Sequence, residues 1–442
     1  MTPRSSAAGF GVVEGFYGHP WSPEARARIV ADLSSVGLDT YLWAPKDDPS
    51  HRARWAEPLG AAALAEIERF ASACRAGRVE LVHGIAPVDT RRRGLRWLPR
   101  YRVEDDLRAA LRRRVADVAA AGVLRFALLF DDTLPTFVPL AASRSLGEVH
   151  GAIAVLALRE APAGARALIV PAVYYRRVHE IGAGGLAYLR GIASVVGCDV
   201  PVAWTGPRIF SPWIAGRDVA ELEHATGLSI FIWNNAVAND WLPLLSGAFG
   251  EKRKVERLSS GPVMNLAPDV VVRSAGVLLN GAREGELTRV ALLGFADYLR
   301  APSAYDPLAS WGRAVEVVFG DAAPPVRELL DRVRGHPLCA PHVRDWRLRE
   351  LAQAASRGES AALRELSVEA DRLSSLEARL DEVLKEHPAW AELKPTAAAL
   401  REGAGRLRAL AAGSVPSAPA RRARWATDLE GSIALFRQRR PR

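Results

Sequence analysis

The pentapeptide Leu128-Leu129-Phe130-Asp131-Asp132 joins three large apolar residues directly to two adjacent carboxylates. A short apolar run that ends in two acids is typical of a buried strand whose C-terminal end opens into a cleft. Two neighbouring carboxylates repel each other, so we expect one to have a raised pKa and the other to stay ionised, as an acid/base site requires. Asp-Asp pairs also occur as solvated caps in turns and at helix starts, and the pair alone leaves that alternative open.

The surrounding chain repeats a strand-then-helix rhythm. Apolar runs followed by helical patterns lie at 10–13, 40–44, 80–85, 126–130, 167–170, 200–204, 230–233 and 276–279. This number and spacing predict an α/β fold of the (β/α)8 TIM-type barrel class. A doubly wound open sheet would also alternate, but residues 14–18 do not match the Gly-rich phosphate loop expected after its first strand.

Beyond about residue 300 the strand patterns stop, and helical periodicity continues at 326–333, 344–355, 361–384 and 400–411. This change predicts a catalytic barrel at 1–300 followed by a C-terminal α-helical bundle domain at 301–442. The apolar faces of these helices need burial, so we expect them to shape the cleft for the leaving group or to form a homodimer.

Composition excludes several classes of protein. The 442 residues are 49% hydrophobic and 25% charged, as in ordinary globular domains. The net charge of +9 comes almost entirely from arginine, and runs such as Arg112-Arg113-Arg114 lack interleaved aromatics, so no nucleic-acid partner is predicted. Three widely spaced cysteines, no apolar leader and no membrane-length apolar stretch predict a cytoplasmic protein without a membrane partner.

Polar residues follow many of the predicted strands. In a (β/α)8 barrel the C-terminal strand ends meet at one mouth, where the chemistry takes place. The residues that we expect to converge there are Gly15, Lys46, Asp131, Asp132, Tyr174, Asn235 and Asn280.

Three segments at strand ends have both a functional and a structural interpretation. Residues 14–21 combine glycines with aromatics, which suits close approach of a ligand and the apolar face of a sugar ring, or else a turn that plugs the barrel. Lys46 offers donors to sugar hydroxyls, or else forms a loop salt bridge. Residues 233–241 offer amides and an acid for a ligand, although Asn239 and Asp240 are equally typical of a helix cap.

A metal site was the other interpretation of the acidic residues. Asp47, Asp48 and His51 with the acid pair would form an oxygen-rich group suited to a cation. Lys46 argues against it, because its ammonium would compete with the metal ion. No metal and no cofactor are therefore predicted.

At these residues the chain resembles glycoside hydrolase family 84, the family of the O-GlcNAcases and related bacterial β-N-acetylglucosaminidases. The motifs that carry the resemblance are GVVEGFYG at 11–18, TYLWAPKDD at 40–48, FALLFDD at 126–132, WTGP at 204–207, and WNN at 233–235 with AND at 238–240. The resemblance covers residues 10 to about 300 and implies a (β/α)8 barrel and a retaining, substrate-assisted mechanism without metal or cofactor. In that mechanism the nucleophile comes from the substrate and not from the enzyme. The 2-acetamido oxygen of the sugar attacks the anomeric carbon and forms an oxazoline.

The resemblance also implies roles for single residues. Asp131 would orient the acetamide N–H and stabilise the oxazoline, whereas Asp132 would protonate the leaving oxygen and then deprotonate water, so Asp132 would start protonated. The substrate-binding residues implied are Gly15, Lys46, Tyr174, Trp233, Asn235, Asp240 and Asn280. Thr133, Asn234 and Trp241 depart from the family's pattern without removing a catalytic group.

The sequence therefore predicts an exo-acting β-N-acetylglucosaminidase that acts on a glycan or glycoprotein bearing β-linked GlcNAc. One alternative is an endo-acting, hyaluronidase-like enzyme with the same chemistry, because the tryptophans and arginines suit an extended acidic glycan. A second alternative is a non-catalytic module that binds GlcNAc or a glycoprotein, although such a module has no need of both acids.

Overall fold

The computed structural model describes residues 8–87, 105–132, 140–240, 258–333, 336, 339 and 347–412. Eight parallel strands pair in sequence order and close into a barrel. Val13 pairs with Leu42 of the second strand and with Asn280 of the eighth, which closes the ring. The predicted (β/α)8 class is confirmed. The strands are β1 (Gly9–Glu14), β2 (Thr40–Trp43), β3 (Glu80–Ile85), β4 (Arg125–Leu129), β5 (Arg166–Val170), β6 (Val202–Trp204), β7 (Ile230–Asn234) and β8 (Gly276–Asn280).

Helices alternate with the strands in the described part of this region. Ser22 begins the first by accepting a hydrogen bond from the Ala25 amide at 3.2 Å, and Gly37, at φ 75°, ends it in the left-handed conformation that glycine adopts without strain. The helices are α1 (Pro23–Val36), α2 (Ala61–Ala76), α3 (Asp105–Ala120), α4 (Leu140–Glu160), α5 (Val178–Val196), α6 (Gly216–Thr226), α7 (Val270–Arg273) and α8 (Gly285–Arg300).

A period of two along each strand sets which side chains fill the barrel, because alternate residues of a strand lie on the same face. One buried apolar cluster takes alternate residues from the strands, among them Val13, Leu42, Val82, Ala127, Leu129, Leu168, Val170, Ala203, Phe231, Trp233 and Leu278. Residues that continue this phase past the strand ends therefore point toward the mouth.

The chain divides into two compact units. The first comprises 1–236, 263–281 and 295–305, and the second comprises 237–262, 282–294 and 306–442. The second unit contains α9 (Pro307–Phe319), a 3-10 turn (Gly320–Ala322), α10 (Ala323–Asp331), α11 (Arg347–Ser356), α12 (Ser360–Leu384) and α13 (Ala389–Ala411).

The helical character predicted for the C-terminal region is confirmed, whereas the boundary at residue 300 and the homodimer stay predictions. Leu373, Leu376 and Leu380 of α12 are fully buried in the same cluster as Leu393 and Leu400 of α13, at the spacing of one helix face. α13 begins before the predicted start at 400, and it includes Pro395 within its length. α9 was not predicted.

The arginine run on α3 makes contacts within the protein. Arg112 pairs with Glu160 at 2.7 Å, and Arg113 donates to the carbonyl of Ala56 at 3.0 Å. Arg114 is only 2% exposed and donates to the carbonyl of Glu57 at 2.9 Å, so this part of the run is buried within the protein. The absence of a nucleic-acid partner stays a prediction.

The cysteines form no disulfide, and the helices are unsuited to spanning a membrane, among the residues that the structure describes. Cys74 and Cys339 are buried, Cys198 is exposed, and all three are free. Within the described ranges, none of the helices combines the length and the apolar character needed to span a bilayer. The cytoplasmic location stays a prediction.

A buried ion pair lies at the C-terminal end of β1. Glu14 is fully buried and accepts two hydrogen bonds from the Arg26 guanidinium, at 2.9 and 3.0 Å, and one from the Tyr41 hydroxyl at 2.7 Å. The guanidinium also lies over the Trp43 ring, 4.7 Å from its centroid. α1 is therefore fixed against β1 and β2 directly below the loop that carries Gly15 and Tyr17.

Arg26→Met should lower the free energy of unfolding by about 3–5 kcal/mol, because it leaves the Glu14 carboxylate buried without its counter-charge. Urea unfolding of the full chain measures the loss. Arg69→Met, which removes an exposed arginine on α2, serves as the control and should change stability by less than about 0.5 kcal/mol. Equal effects of the two substitutions would contradict this prediction.

Candidate active site

The acid pair follows β4 at the mouth of the barrel. The Phe130 amide donates to the carbonyl of Val170 at 2.8 Å and extends the pairing of β4 with β5 by one residue. Asp131, two residues beyond the interior Leu129, is 4% exposed. Asp132 has φ 57°, in the left-handed region that non-glycine residues seldom occupy, although aspartate occurs there more often than most side chains. The solvated-cap alternative therefore does not apply to Asp131.

Lys46 bridges both acids. Its ammonium donates to Asp131 Oδ2 at 2.6 Å and also contacts Asp132 Oδ2. It lies two residues beyond the interior Ala44, in the inward phase of β2. Its backbone amide donates to the carbonyl of Phe16 at 3.2 Å, which fixes the loop. Of the two interpretations of Lys46, the ion pair is present here, and it connects β2 with β4.

Two tyrosines complete the surroundings of Asp132. The Tyr174 hydroxyl donates to Asp132 Oδ1 at 3.0 Å, and the Tyr17 hydroxyl donates to Asp132 Oδ2 at 2.9 Å. Burial raises the pKa of Tyr17 to about 12 and raises that of Tyr174 further, so both phenols keep their protons at neutral pH. Tyr17 belongs to the aromatic segment at residues 14–21 but is not among the site residues that the sequence predicts. Its hydroxyl at a strand end was the available indication.

The charge of Asp132 differs from the expectation that it starts protonated. Burial by itself raises the pKa of this carboxyl, but the Lys46 ammonium and the hydrogen bonds from Lys46 and Tyr17 outweigh burial and hold the pKa well below its usual range. The carboxylates have the converse effect on Lys46: burial lowers the pKa of the ammonium, and Asp131 and Asp132 raise it well above its usual range. In the free chain Asp132 is therefore ionised.

Asp131 keeps one oxygen for a ligand. Its Oδ1 is buried and has no hydrogen-bond partner among the residues that the structure describes. Arg52, 6% exposed, donates to the backbone carbonyl of Asp131 at 3.0 Å and holds the peptide that joins the two acids. A buried acceptor without a donor is costly, so Oδ1 is suited to an N–H group that arrives with the substrate.

An amide cluster lies at the ends of β7 and β8. Asn235 Oδ1 accepts from Trp233 Nε1 at 3.0 Å and from Asn280 Nδ2 at 2.9 Å, and Asn235 Nδ2 donates to the carbonyl of Ile209 at 2.8 Å. Asn280 Oδ1 is buried and, within the described part of the chain, unpaired. The expected meeting of Trp233, Asn235 and Asn280 is therefore observed.

Gly15 is explained by packing. A Cβ atom built on it would lie 2.6 Å from the Trp233 ring and 2.8 Å from a methyl of Val13, so only glycine fits. We expected the missing side chain to admit a ligand to the backbone. Instead, this side of Gly15 is filled by the indole of Trp233, which any other residue at position 15 would displace.

The residues of the alternative metal site point elsewhere. Asp47 accepts from the Gly18 amide at 2.8 Å, Asp48 accepts from Ser50, and His51 Nδ1 bonds the carbonyl of Gly84 at 2.7 Å. Among the described residues, no three His, Cys, Asp or Glu side chains are grouped to hold a metal ion. The geometry therefore does not assemble the oxygen-rich group that was considered.

Asp240 lies in the second compact unit and is 8% exposed, so its predicted contact with a sugar hydroxyl stays a prediction. Of the three departures from the family's motifs, Thr133 and Trp241 fall outside the described residues. Asn234 lies between the inward-facing Trp233 and Asn235, on the opposite face of the strand. Its side-chain amide exchanges hydrogen bonds with that of Asn265 at 2.8 and 3.1 Å. Its amide therefore supports the loop after β7.

A closed (β/α)8 barrel whose C-terminal mouth holds a carboxylate pair, a lysine, tyrosines and amides has the architecture and the acid/base groups of a glycoside hydrolase. Residues 10–331 match the family model NAGidase, described as beta-N-acetylglucosaminidase. The chain belongs to this family, and the resemblance to glycoside hydrolase family 84 is thereby confirmed.

The chain is similar to known proteins of this kind. The Protein O-GlcNAcases of Rattus norvegicus and Mus musculus are each 28% identical over 293 residues, which cover 66% of this chain and 30% of the relative. A solved O-GlcNAc hydrolase variant of Thermobaculum terrenum superposes with a TM-score of 0.76 at 21% identity, covering 91% of this chain and 83% of that one. The last similarity concerns the fold alone.

Lys46→Met should destabilise the protein by about 3 kcal/mol at pH 7, because two adjacent carboxylates lose their shared counter-charge. The folded-state pKa of Asp132 is lowered, so its stabilising contribution is present above the unfolded value of about 4 and is lost as the pH falls through the folded value. In the variant the neighbouring Asp131 carboxylate raises the pKa of Asp132, so Asp132 is partly protonated at pH 4.5 and the deficit should be smaller there than at pH 7.

Urea unfolding at both pH values measures this difference. Lys385→Met, at an exposed lysine, is the control and should show little effect at either pH. A deficit that does not depend on pH would mean that Lys46 does not neutralise the pair.

Proposed function

We propose that this protein removes terminal β-linked N-acetylglucosamine from a glycan or glycoprotein, as a retaining exo-β-N-acetylglucosaminidase. The observation that carries the proposal is the meeting of Asp131, Asp132 and Lys46 at one barrel mouth. Membership of the family supports the sugar and the linkage. The matched segment spans less than a third of the length of the curated O-GlcNAcases, so the activity of the whole relatives is proposed here and not transferred.

The mechanism uses the acetamide group of the substrate as nucleophile. Asp131 Oδ1, which pairs with no described residue, accepts the acetamide N–H, which orients the group and balances the positive charge that develops on it. The acetamide oxygen forms a bond to the anomeric carbon while the bond to the leaving oxygen breaks, and Asp132 gives its proton to that oxygen. Asp132 then takes a proton from a water molecule, whose oxygen bonds to the anomeric carbon while the bond from that carbon to the acetamide oxygen breaks, and this releases the sugar with retained configuration.

Trp233, Asn235 and Asn280 form the polar and aromatic wall for the sugar. The indole of Trp233, packed on Gly15, would line the acetamide pocket, and Asn235 would bond the acetamide. Asn280, with an unpaired buried oxygen, would accept from a sugar hydroxyl, and the carbonyl of Gly15 and Asp240 would hold others. Tyr174, already bonded to Asp132, would reach the acetamide carbonyl.

Asp132 must gain a proton before it can act as an acid. In the free chain it accepts from Lys46, Tyr17 and Tyr174, and an ammonium group cannot accept a proton from Oδ2. Sugar hydroxyls that accept from Lys46 would draw the ammonium away from Asp132. Asp132 would then face the leaving oxygen, which is a hydrogen-bond acceptor. Such a neighbour favours the protonated form of the Asp132 carboxyl, because only that form can donate a hydrogen bond to it.

Binding of a neutral ligand should therefore take up about one proton per site at pH 7. The ligand is methyl 1-thio-β-N-acetylglucosaminide, which is neutral and slowly hydrolysed. Titration calorimetry in phosphate and in Tris, which differ in ionisation enthalpy, measures the uptake. Asp132→Asn, which has no carboxyl to protonate, should show none. Equal heats in the two buffers for the parent protein would contradict the proposed transfer of Lys46.

Asp132→Asn should lower kcat/KM about 10³-fold on a phenyl β-GlcNAc substrate, because a general acid contributes roughly 10² to 10⁴. The loss should shrink to about tenfold with a 2,4-dinitrophenyl leaving group, which departs without a proton. Asp199→Asn, at an exposed aspartate, should match the parent. An equal loss on both substrates would mean that Asp132 is not the acid.

The same assay tests exo action. Polymeric hyaluronan should be hydrolysed far more slowly than the aryl sugar, whereas faster hydrolysis of the polymer would favour the endo-acting alternative. Saturable GlcNAc binding without turnover at any pH would favour the binding module.

A further inference from the structure

Two loops at the mouth carry an excess of positive charge. Residues 171–177 follow β5 and residues 205–215 follow β6, and together they contain three arginines and no acidic residue. Arg176, Arg177 and Arg208 are exposed, and no described carboxylate forms an ion pair with them. Elsewhere exposed arginines such as Arg112 do find a carboxylate within the chain. The three guanidinium groups are therefore available to a ligand.

Arg176 is held in a strained backbone conformation. Its φ of 93° lies in the region that side chains other than glycine rarely adopt. Two contacts from the end of β6 and the loop that follows it fix Arg176: its amide donates to the carbonyl of Gly206 at 2.9 Å, and its carbonyl accepts from Trp204 Nε1 at 3.2 Å. Such strain persists where the surroundings impose it, often at functional sites.

A continuous series of contacts joins Arg176 to the proposed acid. The guanidinium lies over the Tyr175 ring, 5.3 Å from its centroid, and the rings of Tyr175 and Tyr174 are 5.5 Å apart. The Tyr174 hydroxyl then bonds Asp132 Oδ1 at 3.0 Å. The rings of Tyr174 and Tyr175 thus connect Arg176 to Asp132, the group proposed to protonate the leaving oxygen.

We propose that Tyr175 and Arg176 form the first subsite for the leaving group, and that this subsite selects aglycones that carry a carboxylate next to the glycosidic bond. The proposal rests on the proposed function, because it takes Asp132 as the acid. A group attached to the oxygen that Asp132 protonates must lie beside Asp132, where Tyr174 and its neighbours are. An aromatic ring suits the apolar face of a sugar or aryl aglycone, and a guanidinium binds a carboxylate through paired hydrogen bonds.

The test compares phenyl and 3-carboxyphenyl β-N-acetylglucosaminides, whose phenols have nearly equal acidity, so the chemical step is matched. The parent protein should prefer the carboxylated substrate about fivefold in kcat/KM at low salt, with the difference in KM, as expected for contact with an exposed cation. The preference should fall as sodium chloride is raised, because salt screens exposed charges. The neutral 3-methoxycarbonylphenyl substrate should show no preference.

Arg176→Gln should bring the ratio of the two kcat/KM values close to one, and Arg176→Lys should keep part of it. Arg176→Gly removes the charge at a backbone conformation that glycine adopts freely, so it should fold at least as well as the parent and also lose the preference. Arg159→Gln removes an equal exposed charge at the C-terminal end of α4 and should leave the ratio unchanged.

Each outcome decides the matter. A parent ratio of one, or a ratio that survives in Arg176→Gln and Arg176→Gly, overturns the subsite while hydrolysis of the phenyl substrate still supports the proposed function. Failure to hydrolyse either substrate overturns the proposed function and the subsite with it.

Discussion

The bridge from Lys46 to Asp131 and Asp132 is the interaction on which the site depends. Asp131 is buried and Asp132 is only partly exposed, so the two adjacent carboxylates would repel each other strongly without a nearby cation, and Lys46 supplies it by contacting both. The lysine comes from the end of β2 and the acids from the end of β4, so the bridge exists only when the strands have closed into a ring.

The closed ring also explains why the barrel interior is apolar between the strands and polar at the C-terminal mouth. Inward side chains of a closed parallel barrel point at a common axis, and those within the strands fill it with apolar groups. Past the strand ends the same inward phase continues into the loops, where water and ligand have access. Leu129 is followed in phase by Asp131, and Trp233 by Asn235, which is how sequence-distant polar groups meet.

The ionised state of Asp132 has a consequence for the reaction. An enzyme that uses this carboxyl as an acid has to separate it from Lys46 when the sugar enters, and the hydroxyls of the sugar are the natural competing acceptors. In the proposed reaction, substrate binding and protonation of Asp132 are therefore one event. In the proposed reaction Tyr17, which donates to Asp132 Oδ2, keeps the carboxyl in place while its charge changes.

Much of this protein was determined by its sequence, and part was decided only by its tertiary structure. Apolar alternation, strand number and motif order were sufficient for the eight strands, the helical C-terminal region and the inward positions of Asp131, Lys46 and Asn235, because these depend on neighbours along the chain. The charge of Asp132, the part played by Tyr17 and the packing reason for Gly15 could not be predicted in this way. Each depends on the distance in space between residues that are far apart in sequence. Such distances, together with the exclusion of water, set the pKa of Asp132 and the room available at Gly15.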